Sequence, residues 1–100
     1  MIFNIQETTP KVLVAVSGRL DTPAAVQAQQ EIVPLLDNAD KEIVLDCKAL
    51  EYISSSGLRL LLTIRKEAAA KGGKVIIAHI NNDIKSVFMM TGFYNLFEIV

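Results

Sequence analysis

Residues 45–62 read Leu-Asp-Cys-Lys-Ala-Leu-Glu-Tyr-Ile-Ser-Ser-Ser-Gly-Leu-Arg-Leu-Leu-Leu, and this stretch decides the fold. It continues a brief apolar run between charges, 42–46, that is typical of a strand covered on both faces. A short loop is expected to lead from this strand to the three serines at 54–56, which offer hydroxyl groups for a helix N-cap. The residues that follow predict a helix over about 57–71, which the glycine pair at 72–73 would end. Its expected buried stripe is Leu58, Leu61, Leu62, Ala68 and Ala69.

The chain before this stretch predicts a hairpin and a helix. Residues 2–6 and 12–17 read as paired strands, and Gly18 is expected to end the second strand. Thr22 is the expected cap of the helix that follows, because Pro23 suits the first helical position, where no N–H is needed. Its apolar positions, at helical spacing, are Ala25, Ala28, Ile32, Leu35 and Leu36. Pro34 interrupts this pattern, so we expect the helix to kink or to end early there.

The C-terminal third predicts a further strand, a helix and a last strand. Residues 75–78 form a short apolar run, and Asn82 or Asp83 can cap the next helix. Gly92 is expected to stop that helix, and residues 96–100 read as a strand. The element order is β-β-α-β-α-β-α-β, an α/β fold with a mixed sheet, because strands alternating with helices pair in parallel through right-handed crossovers. We expect one domain over residues 1–100.

Composition limits the functions that this domain can have. The chain has 100 residues, of which 51% are hydrophobic and 21% charged, and this balance predicts a folded globule that needs no disulfide or metal. The net charge of −1 and the lack of a block of like charges argue against nucleic acid and a charged membrane surface. No apolar run approaches the length of a membrane span, and the N-terminus predicts no signal peptide. Cys47 is the only cysteine and reads as packing, so a reducing cytoplasm is the expected setting.

The serine cluster is the one chemically distinctive feature. Free backbone N–H groups and the positive end of the helix dipole converge at a helix start, so an anion is favoured there. A phosphoryl group on one of the serines would meet those N–H groups. The alternative is that the serines only cap the helix.

Several motifs recur in an order and spacing that point to one family. Gly-Arg-Leu-Asp at 18–21 is similar to a Gly-x-Leu-Asp motif that follows a second strand. Ser-Ser-Ser-Gly-Leu at 54–58 is similar to an Asp-Ser-Ser/Thr-Gly-Leu motif that starts a second helix. The glycines at 72–73 and the stretch 88–93 match later landmarks. Together they cover essentially the whole chain, which resembles a STAS domain and most of all the bacterial anti-sigma factor antagonists of that family.

The resemblance implies a function and a set of residues. In the family, the first serine after the Asp is phosphorylated by a partner that is both a serine kinase and an anti-sigma factor, and that position is Ser55 here. The unphosphorylated antagonist binds the anti-sigma factor and frees a sigma factor, the phosphorylated form cannot bind, and a phosphatase resets it. The expected partner-binding residues are Asp21, Thr22, Ser54, Ser55, Ser56, Gly57, Leu58 and Arg59. No cofactor, metal ligand or catalytic residue is implied, and we expect a monomer.

This chain departs from the family pattern at one position, where Ser54 stands in place of the usual Asp. The substitution makes Ser54 and Ser56 competing acceptors, although the register favours Ser55. It also leaves a second function open, that of a STAS accessory subunit of an ATP-driven lipid transporter, because members of that branch can lack the Asp.

A hydrolase is the third alternative. Ser55, an Asp and His79, the only histidine, could supply a nucleophile, an acid and a base. The Gly-x-Ser-x-Gly elbow is missing, since Ile53 stands where its first glycine would be.

Overall fold

A computed structural model describes residues 2–100 as five strands packed against four α-helices. The strands are β1 (Phe3–Glu7), β2 (Val12–Leu20), β3 (Glu42–Ile53), β4 (Lys74–Ala78) and β5 (Glu98–Ile99). The helices are α1 (Thr22–Glu31), α2 (Val33–Asp37), α3 (Ser55–Lys71) and α4 (Asn82–Thr91), and a 3-10 helix covers Phe93–Asn95. No helix described in residues 2–100 is long and apolar enough to cross a membrane.

The sheet has the strand order β1-β2-β3-β4-β5, in which β1 is antiparallel to β2 and the other pairs are parallel. The predicted α/β class, the mixed sheet and the leading hairpin are therefore confirmed. The expected disturbance at Pro34 is also present, because the helical region divides into α1 and α2 on either side of Ile32.

All four helices lie on one face of the sheet. In β3, Ile43, Leu45 and Cys47 are fully buried, whereas Val44 and Asp46 between them are only half-buried. The buried side chains of every helix belong to the same core cluster as Ile43, Leu45 and Cys47. The crossovers from β2 to β5 all advance in one direction across the sheet, and right-handed connections of that kind place their helices on a single face. The prediction that β3 is covered on both faces is therefore wrong.

Two strands are longer than the sequence predicted. β2 passes through Gly18, which has a positive φ of 81°, and ends at Leu20. β3 does not end at 46 but continues to Ile53, because register shifts in its pairing with β2 absorb the polar residues that read as a loop. β4 reaches only the partner of Asp46, so the ends of β2 and β3 extend beyond it as a two-stranded ribbon.

Other predicted bounds needed smaller corrections. α3 begins at Ser55, and its buried face includes Leu60 and Ile64, while Leu62 is half-buried and Ala69 is exposed. β4 starts one residue early, at Lys74. The cap of α4 is Asn81, because its side chain, and not that of Asn82 or Asp83, accepts a hydrogen bond from a first-turn N–H. The last strand, β5, has only two of the residues predicted over 96–100.

We predict that the two glycines that end α3 differ in cost when replaced by alanine. Gly72 has a positive φ of 82° but open space around it, so Gly72→Ala should cost about 1–2 kcal/mol of unfolding free energy. A Cβ on Gly73 would overlap the backbone carbonyls of Ala39 and Lys41, so Gly73→Ala should cost more, about 3 kcal/mol. Urea unfolding of the two variants measures the difference, and an equal or reversed order would contradict this packing.

Candidate functional site

Two helix N-termini lie side by side at the carboxyl edge of the sheet. The side chain of Asp21 caps α1 by accepting from the N–H of Ala24 at 3.0 Å. Ser54 caps α3, and its Oγ accepts from the N–H of Gly57 at 3.2 Å. The two caps follow a pair of residues that face each other across the parallel strands β2 and β3. The predicted cap Thr22 is instead the first residue of α1 and is exposed, because the longer reach of β2 moves the cap to the preceding carboxylate.

Ser54 joins the end of β2 to the start of α3. Its N–H and its hydroxyl both donate to the carbonyl of Leu20, at 2.9 and 3.1 Å. An ionised aspartate at this position could accept from Gly57 but could not donate to that carbonyl. The departure from the family motif therefore brings a hydrogen bond that the usual residue lacks.

Gly57 allows α3 to approach the strands closely. A Cβ at this position would stand 2.8 Å from side-chain carbons of Ile53 and Leu20 and 2.9 Å from the Leu20 carbonyl oxygen. The helix start therefore rests directly on the ends of β2 and β3, and Leu58 packs into the core beside it.

The three serines differ in their surroundings. Ser54 is half-buried and its hydroxyl both donates and accepts. Ser55 is exposed, and among residues 2–100 its hydroxyl has no hydrogen-bond partner. Ser56 is half-buried on the wall of a groove between α1 and α3. Ser55 is thus the hydroxyl most open to a second protein.

The groove between α1 and α3 brings together several of the residues predicted from sequence. Its volume is about 190 Å³, and it is lined by Thr22, Ala25, Val26, Gln29, Ser56, Arg59, Leu60 and Thr63. Val26 is 62% exposed on its rim, which is high for a large apolar side chain. Arg59 has no carboxylate within 4.0 Å among the described residues, so its charge is available to another molecule.

An exposed pair at the same edge was missed by the sequence reasoning. The guanidinium of Arg19 lies 4.4 Å from the ring centroid of Tyr52, its partner in the register of β2 and β3. The sequence predicts a loop at Tyr52, and a loop position gives no indication that Arg19 is its neighbour. The 41% exposure of Tyr52 in a regular strand makes it available for contact. Aromatic residues and arginines are enriched in the energetic centres of protein interfaces.

The residues of the hydrolase alternative are not assembled. His79 pairs through Nδ1 with Oδ1 of Asp46 at 3.0 Å. Asp46 precedes Ile53 by seven positions of β3, which corresponds to about 20 Å of strand. Burial alone would raise the pKa of Asp46, but the hydrogen bonds from His79 and the Lys48 N–H hold it below its ordinary value. The histidine and Ser55 therefore lie at separate places.

Potential metal ligands are not clustered in the described part of the chain. Within residues 2–100, no three His, Cys, Asp or Glu side chains are grouped so that they could hold a metal ion. Cys47 is buried, and burial together with the charge of Asp46 raises the pKa of its thiol to about 12. These surroundings suit a packing role.

Comparison with known proteins gives the class of protein to which this fold and site belong. The STAS domain model matches residues 3–100, so the chain belongs to the STAS domain family. The anti-sigma F factor antagonist of Paenibacillus polymyxa is 27% identical over 89 residues, which are 88% of this chain and 76% of that protein. BtrV of Bordetella bronchiseptica, a presumed anti-sigma factor antagonist, is 27% identical over 88 residues, again 88% of this chain and 76% of the relative.

Solved structures show the same fold at low sequence identity. An anti-sigma factor antagonist from Mycobacterium paratuberculosis superposes with a TM-score of 0.83 at 20% identity, covering 97% of this chain and 82% of that one. The Bacillus cell fate determinant SpoIIAA in its phosphorylated form gives a TM-score of 0.71 at 23% identity, covering 98% and 90%.

Loss of the Ser54 hydroxyl should destabilise the protein. Ser54→Ala removes a helix cap and a hydrogen bond to Leu20, so we expect a loss of about 1–2 kcal/mol. Ser56→Ala, two positions along, is the matched control and should stay within about 0.5 kcal/mol of the parent. Equal unfolding free energies for the two variants in urea would show that Ser54 does not join the strand to the helix.

The Cys47 thiol should make stability depend on alkaline pH. Burial raises the pKa of the thiol to about 12 in the folded state, whereas the unfolded chain ionises it near the ordinary cysteine pKa of 9.0. Folding stability should therefore fall as pH rises above 9.0, and Cys47→Ala should lose this part of the decline. Urea midpoints of both proteins across that range test the difference, which would be zero if the thiol were accessible to solvent.

Proposed function

We propose that this chain is an anti-sigma factor antagonist that phosphorylation at Ser55 switches off. In the unphosphorylated form it binds an anti-sigma factor with serine kinase activity, and a sigma factor is released. The observation that carries the proposal is the exposed hydroxyl of Ser55 at the first position of α3 of a STAS domain, which has no hydrogen-bond partner within residues 2–100. The relatives described above bear the names of antagonists, and this favours the proposal over a transporter subunit.

The geometry supports Ser55 over its neighbours as the acceptor. Phosphorylation of Ser54 would break its hydrogen bonds to Leu20 and Gly57 and thereby uncap α3. Ser56 faces the groove wall and is half-buried. Ser55 can lose its proton to a kinase base and accept the phosphoryl group of ATP, with ADP leaving, while both caps stay in place. One solved structural neighbour was determined in a phosphorylated form, which agrees with such chemistry in this fold.

Exclusion from an interface is the effect by which the phosphate would act. To change a two-state equilibrium from almost all bound to almost all free takes about 5.5 kcal/mol. A phosphate at the start of its own helix gains only ~0.3–2 kcal/mol from the dipole, so a local change of stability is too small. Desolvation of a doubly charged group, and its repulsion of any facing carboxylate, supply more. Ser55 therefore lies inside the surface that the partner covers, and the fold barely changes on modification.

That partner surface extends over the carboxyl edge of the sheet. It includes the residues expected from sequence, which are Asp21, Thr22, Ser54, Ser55, Ser56, Gly57, Leu58 and Arg59. Gly57 and Leu58 are buried, so they shape the helix start rather than touch the partner. The exposed apolar Val26 and the Arg19–Tyr52 pair add contact area on either side. A kinase that acts on Ser55 and a phosphatase that resets it would both have to reach this edge, in the cytoplasm where sigma factors act.

A comparison of baits tests the proposal. Wild-type protein, Ser55→Asp and Ser86→Asp are used to capture partners from a lysate of the source cells, with mass spectrometry as the readout. Ser86 is an exposed serine on α4, so its variant carries the same charge change away from the site. We expect wild type and Ser86→Asp to capture a serine kinase of the anti-sigma class. We expect Ser55→Asp to capture at least ten-fold less of that kinase. Circular dichroism confirms that each variant is folded.

Further steps establish the acceptor and mark the contrary results. The captured kinase with ATP should add one phosphoryl group to wild type and none to Ser55→Ala, as read by intact mass. Undiminished capture by Ser55→Asp would place Ser55 outside the interface. Equal capture of a transporter ATPase by all three baits would replace the antagonist function with that of a transporter subunit.

A further inference from the structure

The sheet face opposite the helices carries an apolar row. Leu13, Val44 and Ile76 are consecutive partners across β2, β3 and β4, and all three are half-buried. None of them belongs to the core cluster or to the partly buried residues packed against it. No element described in residues 2–100 covers this face, which we call the open face. It comprises the side chains of β2 to β5 that alternate with the core residues.

Uncovered parallel strands are unusual. Parallel sheets almost always have a layer on both faces, whereas antiparallel sheets commonly leave one face in water. Here β2, β3, β4 and β5 are all parallel, yet helices cover only one side. A second layer from another molecule would complete the arrangement.

Next to the apolar row, the open face carries charges of alternating sign. Lys11 lies 3.5 Å from Glu42, Glu42 lies 3.5 Å from Lys74, and Lys74 lies 3.3 Å from Glu98. Lys11 directly precedes β2, and the other three lie on β3, β4 and β5, so across the sheet the signs are plus, minus, plus, minus. Glu42 is level with Lys74, whereas Glu98 is level with Ile76. All four side chains remain 31–57% exposed, so they can also contact charges on another molecule.

We propose that the open face binds a second copy of this chain in a two-fold dimer whose axis runs parallel to the strands, between β3 and β4. That rotation exchanges β3 with β4 and keeps the height along the strands, so the level pair Glu42 and Lys74 is its own complement. Glu42 then faces Lys74 of the second copy, and Lys11 lies diagonally opposite Glu98 of the second copy, which is two residues further along the strand direction. Val44 packs against Ile76 of the second copy beside them. A two-fold axis across the strands at the height of Glu42 and Lys74 would instead set each of these charges against its own equivalent, so this pair favours the first orientation.

The arrangement agrees with the general rules of sheet packing and symmetry. Two sheets that pack face to face keep their strands within about 30° of each other, as this axis requires. Closed two-fold dimers use the same patch on both subunits, which must be self-complementary. The face is small, so we expect a reversible dimer with a dissociation constant of ~10–100 μM. The groove beside Ser55 lies on the helix side, so the dimer does not rest on the proposed function.

Charge-reversal variants test the dimer with the purified protein alone. Lys74→Glu places Glu42 against a glutamate of the second copy, and Glu42→Lys places Lys74 against a lysine. Each variant alone should therefore weaken self-association by about ten-fold or more. In an equimolar mixture of the two variants, the glutamates at 42 and 74 of one chain face the lysines at 74 and 42 of the other. A heterodimer should therefore form with the affinity of the parent. Sedimentation equilibrium over a concentration series measures all four samples, and circular dichroism checks that they are folded.

A control and two contrary outcomes complete the test. Lys66→Glu makes the same charge change on an exposed residue of α3, on the other side of the molecule, and should dimerise like the parent. A wild-type protein that stays monomeric at a concentration about ten times the expected dissociation constant would overturn the proposal and leave the open face to a different partner. Dimers that persist in Lys74→Glu alone, or a mixture that stays monomeric, would contradict the pairing of Glu42 with Lys74 and overturn the two-fold dimer proposed here.

Discussion

The carbonyl oxygen of Leu20 is the point on which the functional end of the molecule depends. Leu20 is the last residue of β2, and its carbonyl oxygen accepts two hydrogen bonds from Ser54, the cap of α3. The same oxygen would lie within 2.9 Å of any side chain at position 57, so only glycine lets the helix start reach it. This contact sets the height at which Ser55 emerges from the surface. The hydroxyl proposed as the switch therefore has its position fixed by a backbone atom from a distant part of the sequence.

The direction of the crossovers divides the surface into two regions with different chemistry. Because each connection from β2 onward moves the same way across the sheet, the helices gather on one face and their N-termini on one edge. That edge carries Asp21, Ser55, Arg59 and the Arg19–Tyr52 pair, all of which are polar or aromatic. The opposite face keeps an apolar row and a balanced set of charges. The two proposed contacts, with a regulatory partner at the edge and with a second copy at the open face, therefore use separate surfaces and would not compete.

Much of the site followed from local sequence. The serine cluster before an apolar periodic run predicted the start of α3 to within two residues, whereas the predicted end of the neighbouring strand at Gly18 was two residues short of Leu20. Other features depended on neighbours that are distant in sequence. Thr22 was preferred to Asp21 as a cap because the length of β2 was underestimated, and that length depends on register shifts in its pairing with β3. Tyr52 was read as a loop residue for the same reason. The apolar row of Leu13, Val44 and Ile76 could not be seen in the sequence, because these residues come together only when β2, β3 and β4 pair.

The class of fold, the order of the elements, the break near Pro34 and the residue types at the proposed switch follow from the sequence alone, because hydrophobic periodicity, proline geometry and capping preferences act over a few neighbouring residues. The folded chain was needed to show which serine hydroxyl lacks a hydrogen-bond partner within residues 2–100, what Ser54 binds, which sheet face the described helices leave open and where Arg19 meets Tyr52. These depend on strand register and on the face to which each helix returns. Both arise from long-range packing, in which residues such as Leu20 and Ser54, 34 positions apart, come into contact.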